Sequence, residues 1–141
     1  MKHLLPLAAA MALLTACTSV NVHPVANDLQ LKEVCIVNNT AVIVPGFVTV
    51  LQNRFRHHGI ETRMVEATDK DQCSYYLEYS ARQSWDVTPY LSWAELKLYS
   101  GGGLLADAEY KLIGKGGLSL TKWQSAETKM TPVIDSLLGK K

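Results

Sequence analysis

The spacing of apolar residues changes character along the chain and divides it into three parts. Leu4–Leu14 is an apolar run broken only by Pro6, with Lys2 and His3 before it and Thr15-Ala16-Cys17 after it. The run is shorter than the roughly 20 apolar residues needed to span a bilayer. A short cationic start, an apolar stretch and small residues behind it are the layout of a secretory signal peptide, assigned here to residues 1–16. Residues 17–31 are polar with scattered valines, show no sustained period and read as a flexible tether behind Cys17. Residues 32–138 carry the periodic patterns of one folded domain.

Within that domain, Val34–Val37 is a β-branched run ending in Asn38-Asn39, the signature of a buried strand and a turn. Phe47, Val50, Leu51 and Phe55 fall at helical spacing between Pro45 and Gly59, which predicts a helix over 45–58 with basic residues in its last turn. Ile60–Ala67 reads as a second strand. Three alternating segments follow: Ser74–Gln83, Leu91–Tyr99 and Leu104–Ile113, the last two joined by Gly101-Gly102-Gly103. Pro89 marks Trp85–Tyr90 as a connection or bulge, because proline cannot donate to a ladder. The tail keeps Trp123, Ala126, Met130, Val133, Ile134, Leu137 and Leu138 on one face, predicting a helix from near Thr121 kinked at Pro132. The order is β-α-β-β-β-β-α. The expected fold is an α+β two-layer sandwich, a mixed four- to five-stranded sheet with two helices on one face. A helix joins the first two strands, which are therefore parallel; the later strands form an antiparallel meander.

Composition narrows the function without naming it. With 141 residues the chain has room for one domain, and 48% hydrophobic against 19% charged residues excludes a disordered chain. The formal net charge of +1 lacks the basic excess of a nucleic-acid binder. Removing Lys2 with residues 1–16 takes Lys and Arg from 14 to 13, equal to the 13 Asp and Glu, so the body of the protein is neutral.

Three cysteines leave one unpaired in any disulfide scheme. Leu14-Thr15-Ala16-Cys17 resembles the bacterial lipobox, in which a branched apolar residue and two small residues precede a modified cysteine. The resemblance implies cleavage before Cys17, a diacylglycerol thioether on its sulfur and a further acyl chain, such as palmitate, on its amine. Three chains hold a protein stably on a membrane, where one does not. Thr18 follows Cys17, which by the same resemblance implies the outer membrane, with the periplasmic face as the expected side. In that oxidising compartment Cys35 and Cys73 are expected to pair, the alternative being two separate buried thiols.

No catalytic constellation is legible. His57 and His58 are neighbours and point about 100° apart on a helix, so they read as solvated helix-end histidines and not a metal pair. Gly114-Lys115-Gly116-Gly117 lacks the spacing of a phosphate loop, and no Cys-x-x-Cys or Gly-x-Ser-x-Gly occurs. No cofactor is implied. The alternation leaves Tyr76, Arg82, Trp93 and Tyr99 on an open sheet face among Glu78, Glu95, Lys97, Glu109 and Lys111. Aromatics and arginine are what binding surfaces enrich, although an ordinary wet sheet face also carries opposite charges. Trp85 and Tyr90 form a second candidate surface at the sheet's end.

Taken whole, with Val34–Asn39, Pro45-Gly46-Phe47, His58-Gly59-Ile60, Trp85-Asp86 and Lys122-Trp123, the chain resembles small Gram-negative envelope lipoproteins of unassigned function. In element order alone it is similar to the lipoprotein of the lipopolysaccharide-assembly barrel and to accessory lipoproteins of lipid transporters. The expectation is a non-enzymatic, lipid-anchored binding or assembly module for an envelope protein or lipid-transport partner. The alternative is a periplasmic small-ligand binder or enzyme with a pocket between sheet and helices.

Overall fold

The computed structural model describes residues 18–141, and its helices form where an apolar stripe meets its punctuation. Helix α1 (Phe47–His57) buries Phe47, Leu51 and Phe55. Gly46 before it and Gly59 after it hold φ of 70° and 75°, a left-handed backbone in which glycine is unstrained. Helix α2 (Ala126–Leu137) is capped by Ser125, whose hydroxyl accepts from the Thr128 N–H at 3.1 Å. It buries Met130, Val133, Ile134 and Leu137 and keeps Pro132 within a single helix, on the exposed side. The expected start near Thr121 is corrected. Leu120–Trp123 is a separate 3-10 turn, and extended backbone at Gln124 and Ser125 breaks the stripe before α2 begins.

Six strands make one sheet, not the expected four or five: β1 (Thr18–His23), β2 (Glu33–Val37), β3 (Glu61–Val65), β4 (Tyr76–Asp86), β5 (Thr88–Ser100) and β6 (Gly103–Leu112). The spatial order is β1-β6-β5-β4-β2-β3. β2 runs parallel to β3, across the α1 connection, and also to β4, while β4, β5 and β6 form an antiparallel meander. Both helices cover one face. Between them lies a core of Val34, Ile36, Leu77, Leu96, Leu98, Ala106 and Ala108 against Phe47, Leu51, Phe55, Met130, Ile134 and Leu137. The architecture is the expected α+β sandwich with a mixed sheet.

The extra strand lies in the segment read as a tether. Thr18–His23 pairs antiparallel with β6, Thr18 opposite Leu112 and His23 opposite Asp107. It satisfies the hydrogen-bonding edge that β6 would otherwise expose. Val25 is buried and donates its N–H to the Leu137 carbonyl at 2.9 Å, so the chain is tied to the domain beyond β1 as well. A second correction concerns Trp85–Tyr90. It is not an irregular connection but the end of a long β4–β5 hairpin, with Trp85 opposite Pro89 and a bulge at Arg82/Gln83. Among the described residues no helix is long and apolar enough to cross a membrane. The signal peptide and the lipidation of Cys17 lie outside the described residues.

Candidate functional site

The uncovered sheet face is built in cross-strand rows, which the register fixes. The first places Cys35, Tyr76 and Tyr99 side by side on β2, β4 and β5. The Cys35–Cys73 disulfide is present and closes a loop of 38 positions. It draws a 3-10 turn, Ala67–Gln72, towards the sheet. Beside it, Cys35, Val37, Val65 and Tyr76 make a small second core, with Cys73 and Tyr99 packed on it. Tyr76 was expected on the open face. It does point to that side, but it is only 4% exposed, stacked on Tyr99 at 5.1 Å and capped by Lys70, whose ammonium lies 5.3 Å from the ring centre. Lys70 also pairs with Glu78 at 2.8 Å, and this hydrogen bond holds its pKa above the usual lysine value. Alternation fixed the direction of Tyr76. The turn that covers it follows from a contact between distant residues and left no local trace.

The next row places Glu78, Lys97, Asp107 and His23 side by side on β4, β5, β6 and β1. His23 Nδ1 lies 3.0 Å from Asp107. Beyond it Glu95 faces Glu109 directly, a repulsive pairing. Each is compensated: Lys97 sits 3.3 Å from Glu95, which raises the lysine's pKa, and Trp93 Nε1 donates to Glu109 at 3.2 Å. In the last row Trp93 stands between Arg82 and Lys111, with the Arg82 guanidinium 4.5 Å from its ring centre. Of the predicted surface, Arg82, Trp93 and Tyr99 thus share the open face, and Arg82 and Trp93 are in contact.

Next to Trp93 the rows open into a groove of about 390 Å³ at the sheet's end, lined by Arg82, Gln83, Ser84, Ser92, Lys111 and Lys115. The hairpin continues past it. Trp85 is exposed as expected, but Tyr90 is buried and its hydroxyl donates to the Lys115 carbonyl at 2.7 Å. Two lysines that the hydrophobic pattern does not single out surround Tyr90. Lys122 bonds Asp86 and the Gly117 carbonyl, the latter at 2.7 Å, and lies 5.9 Å from the Tyr90 ring centre. Lys129 donates to the carbonyls of Leu91, at 2.9 Å, and Lys122. Burial pushes its pKa down to about 8. Trp123 Nε1 closes the arrangement by donating to the Asp86 carbonyl at 2.8 Å. The one clue was position: Lys129 precedes Met130 and lies four residues before Val133, at the margin of the apolar stripe.

The histidine reading holds for His57, which is exposed, and is corrected for His58. His58 is not solvated: its Nε2 lies 2.7 Å from Asp135, which also takes Arg54 in a two-pronged pair at 2.5 and 2.6 Å. The cluster ties α1 to α2, and the Arg54 guanidinium, with His58 adding to it, holds the Asp135 carboxyl below the usual carboxylate range. Among the described residues no three His, Cys, Asp or Glu side chains gather as a metal site.

Fold and surface together define a mixed-sheet α+β sandwich with one helical layer and one bare face. Solved structures with this fold are those of the PelC dodecamer from Paraburkholderia phytofirmans and of a leucine-to-methionine variant of it. Both superpose with a TM-score of 0.53 over 82% of this chain, covering 98% and 97% of theirs, at 17% and 15% identity. At that identity the likeness is one of fold. No protein-family model and no curated protein matches the sequence.

Proposed function

We propose that the chain is a lipid-anchored protein of the bacterial envelope, held by acylated Cys17 at the outer membrane and facing the periplasm. In this reading it is a binding or assembly accessory module for a protein or lipid-transport partner, and the bare sheet face receives that partner. One observation carries the assignment of the surface: a broad sheet face left bare by both helices, with half-exposed Trp93 held between Arg82 and Lys111. Tryptophan and arginine dominate the energetics of protein interfaces, and here both are pre-positioned by the ladder, which lowers the ordering cost of binding. The same fold forms dodecamers in the PelC structures, so a second copy of this chain is one partner to look for.

Photo-crosslinking in cells tests the reading. A crosslinking amino acid at Trp93 or Lys97 is expected to give a discrete adduct, either with an envelope protein or at twice the chain mass. The same residue at Ile43, exposed elsewhere on the domain, is expected to give none. Identical, diffuse labelling from all three positions would remove the bare face as the partner surface.

A further inference from the structure

The most exposed of the large apolar side chains gather at one place, although others such as Ile43, Leu104 and Val20 lie apart from it. Among the described residues the four most exposed are Leu118 at 101%, Val87 at 82%, Leu120 at 78% and Trp85 at 73%; Ile43 at 69% lies elsewhere, and Ile113 at 57% comes next. Trp85 and Val87 form the tip of the β4–β5 hairpin. Ile113, Leu118 and Leu120 belong to the turns between β6 and α2. Lys122 and Trp123 fasten those turns to Asp86 at the tip, so all five residues lie at one end of the sheet. Chains rarely leave such a group uncovered without an apolar partner.

The register shows what that end faces. Thr18 pairs with Leu112, at the end of β6 from which Ile113 emerges, and Cys17 is the residue before Thr18. The expected lipid attachment is therefore at the apolar end, one residue from the sheet and with no tether between. Level with it lies the groove whose charged lining residues are Arg82, Lys111 and Lys115, all cationic. The nearby carboxylates, Asp86 and Glu109, are engaged by Lys122 and Trp93. Val87 lies five residues beyond Ser92, the position level with Leu112, an overhang of roughly 17 Å at about 3.3 Å per residue. An overhang of that size is long enough for the tip to reach the headgroup boundary, which apolar faces enter by roughly 5–10 Å.

We infer that the hairpin tip Trp85–Val87 and the Leu118–Leu120 turn rest in the interface of the phospholipid bilayer that holds Cys17, with Arg82, Lys111 and Lys115 on lipid phosphates. The inference rests on the reading of Cys17 as a lipid anchor. It gives the domain a fixed pose: the sheet stands end-on to the membrane, and the bare face looks sideways along it, open to a partner. Tryptophan prefers this depth, its ring apolar and its N–H wet.

The test uses the full chain as processed in cells, purified and reconstituted in vesicles of phosphatidylethanolamine and phosphatidylglycerol with acyl chains brominated at different depths. Intact mass first reports acylation of Cys17. Tryptophan emission is expected to be quenched most by bromines nearest the headgroup, and the Trp85→Phe variant, which keeps Trp93 and Trp123, should lose at least about half of the quenching. Circular dichroism of the variant should match the parent, because the side chain is in solvent. An acylated Cys17 with equal quenching in both proteins overturns the membrane pose and leaves the anchor standing. So does a crosslink from Trp85 to a protein in place of lipid. An unmodified Cys17 overturns anchor and pose together.

Discussion

Two corners of this sheet fasten a loop over a strand end, and they do it with opposite chemistry. At the start of β4 a disulfide pins the Ala67–Gln72 turn, and the aromatic beneath it, Tyr76, is sealed. At the far end of β4 the fastening is polar: Lys122 and Lys129 reach inward to carbonyls and to Asp86, and the apolar residues Trp85, Val87, Leu118 and Leu120 face out. At the first corner the aromatic is sealed, and the exposed apolar neighbours are the single residues Leu104, opposite Tyr99, and Met64. The second uses buried charge, a costly means of holding a loop, and leaves its hydrophobic residues uncovered. The second corner is therefore the one on which the proposed membrane contact rests.

The largest effect expected from breaking the comparison is at the disulfide. By loop entropy, closing 38 positions is worth about 4 kcal/mol as an upper figure, so the Cys35→Ala, Cys73→Ala pair should lose about 2–4 kcal/mol in denaturant unfolding. Tyr76 should at the same time become accessible to quencher, while the hairpin end keeps its contacts. A loss below about 1 kcal/mol would mean that the turn is held by Tyr76 and Lys70 without the bridge, and the contrast between the corners would be one of degree.

How much of this was legible beforehand divides along the same line. Local period found α1, the meander and the parallel pair, because those elements bury their own stripes: Phe47, Leu51 and Phe55 need no distant information to declare a helix. Cys35 and Cys73 were readable as a pair from compartment and count. β1 was not, although Val20 and Val22 alternate with Ser19, Asn21 and His23. Two valines in six residues are a weak signal, and the strand exists because β6 offers an open edge. Tyr76 reads as solvent-facing because alternation gives direction and not cover, and Tyr90 because Pro89 marks its segment as a connection at the sheet's end; in both cases a loop from elsewhere in the chain provides the cover. The lysines at Tyr90 were missed for the same reason. Arg82 and Trp93, whose partners are cross-strand neighbours, were placed correctly.

The next effect is smaller and concerns pH. Lys129 titrates near 8 in the fold against about 10.5 unfolded, because burial disfavours its charge. Below about pH 8 both states carry the proton, and stability does not change with pH through this group. Between about 8 and 10.5 the unfolded chain binds more protons, so stability rises with pH, by about 1–3 kcal/mol at most, and levels off above. Lys129→Met should remove that rise, read as the difference between parent and variant in urea midpoints at pH 7.5 and 10. The disulfide corner has the opposite sign: Glu78 holds the Lys70 pKa above its usual value, so that contribution is lost as pH rises through the raised value. Parallel pH curves for parent and variant would show that Lys129 reaches water in the folded state, and the hairpin end would lose its claim to be held by buried charge.

The smallest expected change is the most discriminating. Val87 turns the hairpin at φ 64°, a left-handed backbone that a β-branched residue adopts only under strain of about 1–2 kcal/mol. Glycine would relieve the strain but lose more freedom on folding, by roughly 0.5–1 kcal/mol. Val87→Gly should therefore stabilise the domain by about 0.5–1 kcal/mol, a rise of a few degrees in Tm. The Val87 side chain is 82% exposed, so packing within the domain gives no reason for valine at this strained position. If the bilayer supplies the reason, the same variant should show weaker headgroup-level quenching of Trp85 while its Tm increases. A fall in Tm would reverse the reading: Val87 would then be held by contacts within the tip, the strain would be structural, and the hairpin end would resemble the disulfide corner more than it differs from it.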